Sequence, residues 1–212
     1  MIDPSNITNF TLTVDELEEH LLFWVAAAGK NGRTAARCLG VFLTMITYNG
    51  MSPFKAVRNQ YTQDTLPENI GDPEHATMAE LMRLAGMGCY KNKSRTFAEV
   101  ANSGLDLRTC GAEDLEKIYG IGMKTARCFL LHSRKGVRLS GLDTHMLKHL
   151  KESGAEDVPK STPSSKKKYM ILEQEVLRLA DEAGMSPSGF DLMIWNQYSI
   201  KNMAGHNEAL LG

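Results

Sequence analysis

The chain has 212 residues, of which 42% are hydrophobic and 23% charged, and its formal net charge is −1. These values are typical of one globular domain or two small lobes, and they exclude a collagen-like or generally disordered protein. No apolar run approaches 18 residues, and the N-terminus lacks the basic and apolar regions of a secretory signal. We therefore expect no membrane association and a cytoplasmic location, next to the nucleoid if the organism is prokaryotic.

The cysteines are scattered along the chain, at Cys38, Cys89, Cys110 and Cys128. None belongs to a Cys-x-x-Cys pair, so the spacing excludes a zinc ribbon and a four-cysteine iron–sulfur loop. We expect buried thiols, no metal and no cofactor, because free cysteines are among the most buried residue types.

The charge is unevenly distributed. Residues 86–152 contain 12 Lys/Arg and seven Asp/Glu, whereas the rest of the chain contains 12 Lys/Arg and 18 Asp/Glu. A locally basic segment is what contact with phosphates requires, although this excess is modest.

The hydrophobic periodicity predicts an all-α protein. A first helix follows the capping-box sequence Thr13 to Glu16. A second helix over 33–48 carries apolar residues around most of its circumference, which predicts a central buried helix. Asp72 and Pro73 predict the start of a helix that extends to about Leu84. The remaining predicted helices cover 53–59, 92–102, 112–119, 123–133, 144–151, 168–183 and 187–200.

The segment 157–168 differs from its surroundings because it holds two prolines, four Ser/Thr and four lysines. Its composition predicts a mobile loop. Two interpretations stay open: a solvated linker, or a loop whose lysines contact phosphates.

The most informative stretch is Leu115 to Leu130, in which a Gly120-Ile121-Gly122 turn separates two predicted helices. Two glycines at this spacing allow a sharp turn and close approach to another surface. The amides that open the second helix then form an anion site suited to a DNA backbone phosphate. The alternative is an ordinary corner between two helices.

Lys124 lies in the first turn of that second helix, where the helix dipole disfavours a cation. Because a neutral amine is a nucleophile, this position suits covalent catalysis through a Schiff base. Lys124 as a solvent-facing or phosphate-binding side chain is the alternative.

Asp143 lies 19 residues further along and is predicted to cap the helix that carries Met146 and Leu147. Capping keeps a carboxylate ionised and oriented, so Asp143 is suited to stabilise a cationic sugar transition state and assist proton transfer. A purely structural cap is the alternative.

Two segments, 118–126 (IYGIGMKTA) and 141–147 (GLDTHML), resemble the helix-hairpin-helix DNA glycosylase superfamily, which includes endonuclease III and the 8-oxoguanine glycosylases. The signature of that superfamily is a hairpin followed by a lysine and, about twenty residues later, an aspartate that opens a helix. The segment around Met87 to Ser94 is similar to the turn that precedes the hairpin in this superfamily. Tyr119 replaces the proline common before the first hairpin glycine. The missing cysteine cluster favours the branch without an iron–sulfur cluster, where the 8-oxoguanine enzymes lie.

The resemblance implies a two-lobed helical fold with a DNA-binding cleft between the lobes. Residues 33–142 would form one lobe, with the helix-hairpin-helix at about 112–133. Residues 1–32 and 143–212 would form the other. The implied partner is double-stranded DNA that contains a damaged base, and we expect the protein to be a monomer.

The implied activity is base-excision repair by a bifunctional DNA glycosylase and abasic-site lyase, with 8-oxoguanine as the best candidate lesion. Lys124 would be the nucleophile that attacks the sugar C1′, and Asp143 the catalytic carboxylate. The hairpin residues implied in DNA binding are Gly120, Ile121, Gly122, Met123 and Arg127. Alternatives are a non-catalytic helix-hairpin-helix DNA-binding module and a glycosylase for another lesion, such as oxidised pyrimidines.

An enzyme that acts on a base within a duplex must flip that base, fill the gap and stack the base in a pocket. Tyr48 and Asn49, at the end of a predicted helix, are candidates for filling the gap. Asp191, Trp195 and Tyr198 lie on one helical stripe and are candidates for lining the pocket. The alternatives are a helix C-cap at Asn49 and an ordinary apolar core around residue 195.

Overall fold

The computed structural model describes residues 2–47, 50–70, 72 and 75–210, with side chains described except at Pro67 and 200–210. The described residues form helices and loops without a strand. The helices are α1 (Val14–Ala27), α2 (Gly32–Ile46), α3 (Pro53–Asp64), α4 (Met78–Leu84), α5 (Tyr90–Asn102), α6 (Ala112–Glu116), α7 (Met123–Ser133), α8 (Thr144–Glu152), α9 (Lys166–Glu182) and α10 (Pro187–Leu210). Among these helices, none has the length and apolar character needed to cross a bilayer.

The chain divides into two compact units. The first comprises Met1–Pro4 and Thr11–Phe129, and the second comprises Ser5–Phe10 and Leu130–Gly212. In the first unit α1 packs against α2, α3 and α5, and in the second α10 packs against α8 and α9. The boundary falls within α7, so the hairpin belongs to the first unit.

This division differs from the lobes expected from the sequence, because α1 belongs with the first unit rather than with the C-terminal helices. Two polar contacts of α1 explain the difference. The Glu18 carboxylate accepts a hydrogen bond from the Phe54 backbone N–H at 2.8 Å. The Ala26 carbonyl, near the end of α1, accepts one from Lys93 Nζ at 2.7 Å. Lys93 is only 5% exposed, and its burial lowers the pKa of its ammonium group.

Several helix boundaries follow the local signals in the sequence. Thr13 and Glu16 form the predicted capping box of α1. The predicted helix start at Pro73 lies outside the described residues, but residues 75–77 are not helical and α4 begins at Met78. There Thr77 and Glu80 form a second capping box, which satisfies free amides at the helix start. The third helix extends to Asp64, beyond the predicted end at residue 59.

Two predictions about burial require correction. The second helix is amphipathic rather than buried all round: Leu39, Phe42 and Ile46 are buried, whereas Val41 and Met45 are 39% and 41% exposed. None of the four cysteines forms a disulfide bond, and all are buried except one. The exposed thiol is Cys89, which precedes α5 with a left-handed backbone (φ 54°).

Candidate functional site

The turn between α6 and α7 has the backbone of a tight hairpin. Gly120 has a left-handed conformation (φ 79°), which glycine adopts without steric cost. The next residue, Ile121, is 4% exposed, and its N–H donates to the Ile118 carbonyl at 3.1 Å. The buried isoleucine therefore anchors the turn in the first unit.

The two hairpin glycines have different environments. A Cβ on Gly120 would lie 2.1 Å from Thr96 Oγ1 on α5, so the fold itself requires glycine there. Gly122 is exposed, has no left-handed backbone and has open space where a Cβ would lie. Its carbonyl accepts the Ala126 N–H at 3.1 Å, within the first turn of α7. Both glycines are exposed and open to a surface outside the protein, but only Gly122 has room for a Cβ.

Tyr119 occupies the corner position at which the resembled superfamily commonly has a proline. Its backbone N–H donates to Glu99 Oε2 at 3.1 Å, and the Arg95 guanidinium lies 3.9 Å from the centre of its ring. Arg95 also binds Glu99 at 2.9 Å, and this hydrogen bond lowers the pKa of the Glu99 carboxyl group. These contacts fix the hairpin to α5.

Lys124 occupies the first turn of α7, as predicted, and is half-buried. Within the described part of the chain, its side chain forms no hydrogen bond or ion pair. The first amides of a helix also have no acceptor within the helix. The start of α7 thus presents an amine and backbone donors beside an exposed glycine.

The side chain of Arg127, predicted to bind DNA, is engaged within the protein. Its side chain is 6% exposed and forms an ion pair with Glu116 on α6. It also donates to the Met123 carbonyl at 3.3 Å. A buried and paired guanidinium stabilises the junction of α6 and α7 and cannot reach a phosphate without breaking that pair. Of the other hairpin residues, Met123 is half-buried and Ile121 is buried.

Asp143 is the N-cap of α8, as predicted, and its carboxylate accepts the Met146 N–H at 2.8 Å. Its own N–H donates to the Gly141 carbonyl at 2.8 Å. The cap orients a half-buried carboxylate at the helix start, where the dipole favours the ionised form. Lys124 belongs to the first unit and Asp143 to the second.

Three side chains that the sequence did not indicate hold the backbone just before Asp143. The Ser140 N–H donates to Glu173 Oε1 at 2.9 Å. The Tyr169 hydroxyl donates to the Ser140 carbonyl at 2.8 Å and accepts the Leu142 N–H at 3.0 Å. Thr162 Oγ1 donates to the Leu142 carbonyl at 2.8 Å. We call Thr162, Tyr169 and Glu173 the clamp.

The predicted pocket residues have mixed positions. Tyr48 and Asn49 lie outside the described residues. The Asp191 carboxylate lies 3.1 Å from Nε2 of the buried His132 and forms a hydrogen bond with it. The other ring nitrogen of His132, Nδ1, forms a hydrogen bond with Thr8 Oγ1 at 2.7 Å. Trp195 is half-buried.

Tyr198 does not suit the predicted contact with a base. It is 2% exposed, its ring stacks on His145, and its hydroxyl donates to the Glu152 carboxylate. Burial, followed by this hydrogen bond, raises the pKa of Tyr198 to about 12. A buried ring already stacked on a neighbour packs α10 against α8 rather than receiving a flipped base.

The comparisons with known sequences give a local similarity. No protein-family model matches the chain. An 84-residue segment, 39% of the chain, is 41% identical to the 8-oxoguanine DNA glycosylase/AP lyase of Thermotoga sp. strain RQ2. The corresponding protein of Thermotoga maritima is 40% identical over 84 residues. The chain spans only 38% of the length of these curated relatives.

The structural comparisons extend over most of the chain. The crystal structure of the 8-oxoguanine DNA glycosylase of Thermotoga maritima has a TM-score of 0.62 and 24% identity, covering 85% of this chain and 78% of that one. That of Methanocaldococcus jannaschii has a TM-score of 0.63 and 20% identity, covering 91% and 83%. A complex of the Methanocaldococcus jannaschii enzyme with a 15-mer DNA containing 8-oxoguanine has a TM-score of 0.60 and 20% identity, covering 87% and 81%. The fold is thus the predicted all-α helix-hairpin-helix glycosylase fold, and the resemblance expected from the sequence is confirmed.

Proposed function

We propose that this protein is a bifunctional DNA glycosylase and abasic-site lyase that removes a damaged base, with 8-oxoguanine as the preferred lesion. The observation that carries the proposal is the pair of helix starts at α7 and α8. One presents the amine of Lys124 after a glycine hairpin, and the other an oriented carboxylate, Asp143. The 84-residue similarity to 8-oxoguanine DNA glycosylase/AP lyases supports the same chemistry.

DNA binding is assigned to the hairpin. The exposed Gly122 allows a phosphate to approach the amides of Met123 and Lys124 without an intervening side chain. Such contacts position a duplex without reading its sequence. The proposed partner is double-stranded DNA, bound by a monomer. Recognition of the lesion requires residues outside the hairpin, because phosphate contacts do not read the base. Asp191 and Trp195 stay candidates for the base pocket, and Tyr48 and Asn49 for filling the gap that a flipped base leaves.

The proposed reaction has two stages. The Lys124 amine, after losing a proton, attacks C1′ of the damaged nucleotide as the bond between C1′ and the base breaks, and the base leaves with a proton. The Asp143 carboxylate stabilises the positive charge that develops on the sugar. Opening of the sugar ring gives a Schiff base between Lys124 and C1′.

The second stage is strand cleavage by β-elimination. When C2′ loses a proton, the protonated Schiff base accepts the electron pair of the C–H bond and becomes an enamine. The enamine then expels the 3′-phosphate, which leaves a conjugated Schiff base. Water then hydrolyses the Schiff base and returns the free lysine. Asp143 assists the proton transfers.

The proposal is tested by incubating the protein with duplexes that carry 8-oxoguanine, oxidised pyrimidines, uracil, hypoxanthine or an abasic site. We expect strand cleavage at 8-oxoguanine and at the abasic site. Cleavage at oxidised pyrimidines alone would establish another substrate. Binding without cleavage of any duplex would favour the non-catalytic DNA-binding module, in which Lys124 contacts only a phosphate.

A further inference from the structure

The segment Ser140 to Leu142 is buried, and the backbone polar groups of Ser140 and Leu142 pair with side chains rather than with other backbone. Ser140 is 1% and Leu142 0% exposed. Buried N–H and carbonyl groups almost always require partners, because an unsatisfied group loses its hydrogen bonds to water without replacement. Here side chains of the clamp supply all four partners, for the N–H and the carbonyl of both residues.

The clamp is itself well fixed. Tyr169 is fully buried and Glu173 is 4% exposed. They lie four residues apart on α9, so both side chains leave the same face of one helix. Thr162 precedes α9, in the segment whose composition predicted a mobile loop. Its bond to Leu142 ties that segment to the start of α8.

Asp143 follows Leu142 directly and has no freedom to move independently of it. On one side its carboxylate is fixed to the Met146 N–H, and on the other its backbone continues from the clamped residue. A shift of about 1 Å at a catalytic group is sufficient to lower a rate by about 100-fold. Loss of a clamp bond therefore moves a group on which the proposed reaction depends.

We propose that the clamp residues, above all Tyr169, are positioning residues that orient the carboxylate of Asp143 for base excision. This inference rests on the proposed function. It predicts a loss in the chemical step with little change in DNA affinity, because no clamp residue is assigned to DNA binding.

The primary test is Tyr169→Phe, which removes one donor and one acceptor without changing the ring. We expect the single-turnover rate of 8-oxoguanine excision to fall about 10- to 100-fold, in line with the effect of small misplacements. The dissociation constant for the lesion duplex should stay within about twofold. A folded Tyr169→Phe protein that excises at the wild-type rate overturns the clamp.

Two further comparisons separate positioning from general stability. Thr162→Val and Ser186→Ala each remove a side-chain hydrogen bond within the second unit, the first to the Leu142 carbonyl at 2.8 Å and the second from the Gly189 N–H at 3.1 Å. Excision should slow in Thr162→Val and not in Ser186→Ala. Equal slowing in both variants contradicts the proposal. Because Thr162 is exposed, its variant remains informative if Tyr169→Phe does not fold.

Glu173 provides a rescue experiment. Glu173→Gln keeps an oxygen that accepts the Ser140 N–H, whereas Glu173→Leu removes it. We expect near-normal excision in the first variant and slow excision in the second. Equal rates in the two variants would show that the acceptor at this position does not affect the reaction.

A double-mutant cycle gives the decisive measurement. In an Asp143→Asn background, Tyr169→Phe should change the residual excision rate by less than about twofold, since the group it positions is already lost. An undiminished effect in that background assigns Tyr169 a role unrelated to Asp143. The wild-type protein is measured in parallel. No excision by wild type overturns both proposals, whereas an active wild type with an equally active Tyr169→Phe overturns the clamp alone.

Discussion

The starts of α7 and α8 carry the two proposed catalytic residues, but the chain builds them differently. The corner before α7 turns by local backbone geometry, with Gly120 in a left-handed conformation and Ile121 buried beside it, and Glu99 on α5 adds one bond to the Tyr119 N–H. The corner before α8 is held by side chains that lie 20 to 33 residues further along the chain.

This difference predicts two kinds of sensitivity to mutation. At the α7 corner the fold depends on the space around one glycine, whereas the Lys124 side chain forms no hydrogen bond or ion pair within the described residues. Replacing Lys124 should therefore remove chemistry without disturbing structure. At the α8 corner hydrogen bonds link the backbone before Asp143 to the clamp side chains. Substitutions in the clamp should therefore lower the rate of the reaction.

The largest expected effect is at Lys124. Lys124→Gln should abolish the covalent complex that borohydride traps on DNA with an abasic site, because an amide cannot form a Schiff base. DNA binding should be largely retained. The matched control is Lys117→Gln, which removes an exposed lysine paired with Asp114 in the same region. Unchanged trapping in Lys124→Gln would assign the nucleophile elsewhere.

Asp143→Asn should reduce base excision by at least about 100-fold, as is typical when electrostatic stabilisation of a transition state is removed. Stability should change by about 1 kcal/mol or less, because asparagine is also a good N-cap. Single-turnover excision and thermal unfolding measure the two effects separately. Near wild-type turnover would reduce Asp143 to a structural cap.

Substitutions at the two hairpin glycines should differ in their effect on the free energy of unfolding. Gly120→Ala should lower the free energy of unfolding by about 2–4 kcal/mol, from the left-handed backbone and the contact with Thr96. Gly122→Ala should cost about 1 kcal/mol or less, the usual loss when a helix cap becomes alanine. Urea unfolding measures both variants. Equal losses would mean that the contact of Gly120 with Thr96 does not constrain the fold.

The smallest expected effect is on DNA affinity at Gly122. Gly122→Arg adds a cation, so charge alone predicts tighter non-specific binding. The hairpin proposal predicts about tenfold weaker binding to lesion and undamaged duplex alike, because the side chain blocks approach to the amides. The open space at Gly122 makes a folded variant the expected product, which circular dichroism verifies. Tighter binding would contradict the hairpin proposal and make Lys166, Lys167 and Lys168, at the start of α9, the next candidates for contact with phosphates.

Features that depend on a few neighbouring residues were predictable. The capping box at Thr13, the bounds of α7 and the cap at Asp143 all follow from residues within one helical turn. The hairpin and the lysine after it were predictable for the same reason. Two local signals compete for the start of α4: the Asp72-Pro73 pair and the capping box of Thr77 with Glu80. The capping box forms the cap of α4.

Features that depend on distant residues were not predictable. The burial of Arg127 depends on Glu116, which lies on a different helix. Placement of α1 depends on its contacts with Phe54 and Lys93.

The sequence by itself determined the helices, the glycine turn and the identity of the two groups suited to the chemistry, because backbone preferences and caps act over a few residues. Only the tertiary structure decided which polar side chains meet, as Tyr169 and Glu173 do at Ser140. A buried tyrosine or glutamate has the same local pattern whatever its partner. The fold alone brings that partner within the roughly 3 Å that a hydrogen bond requires.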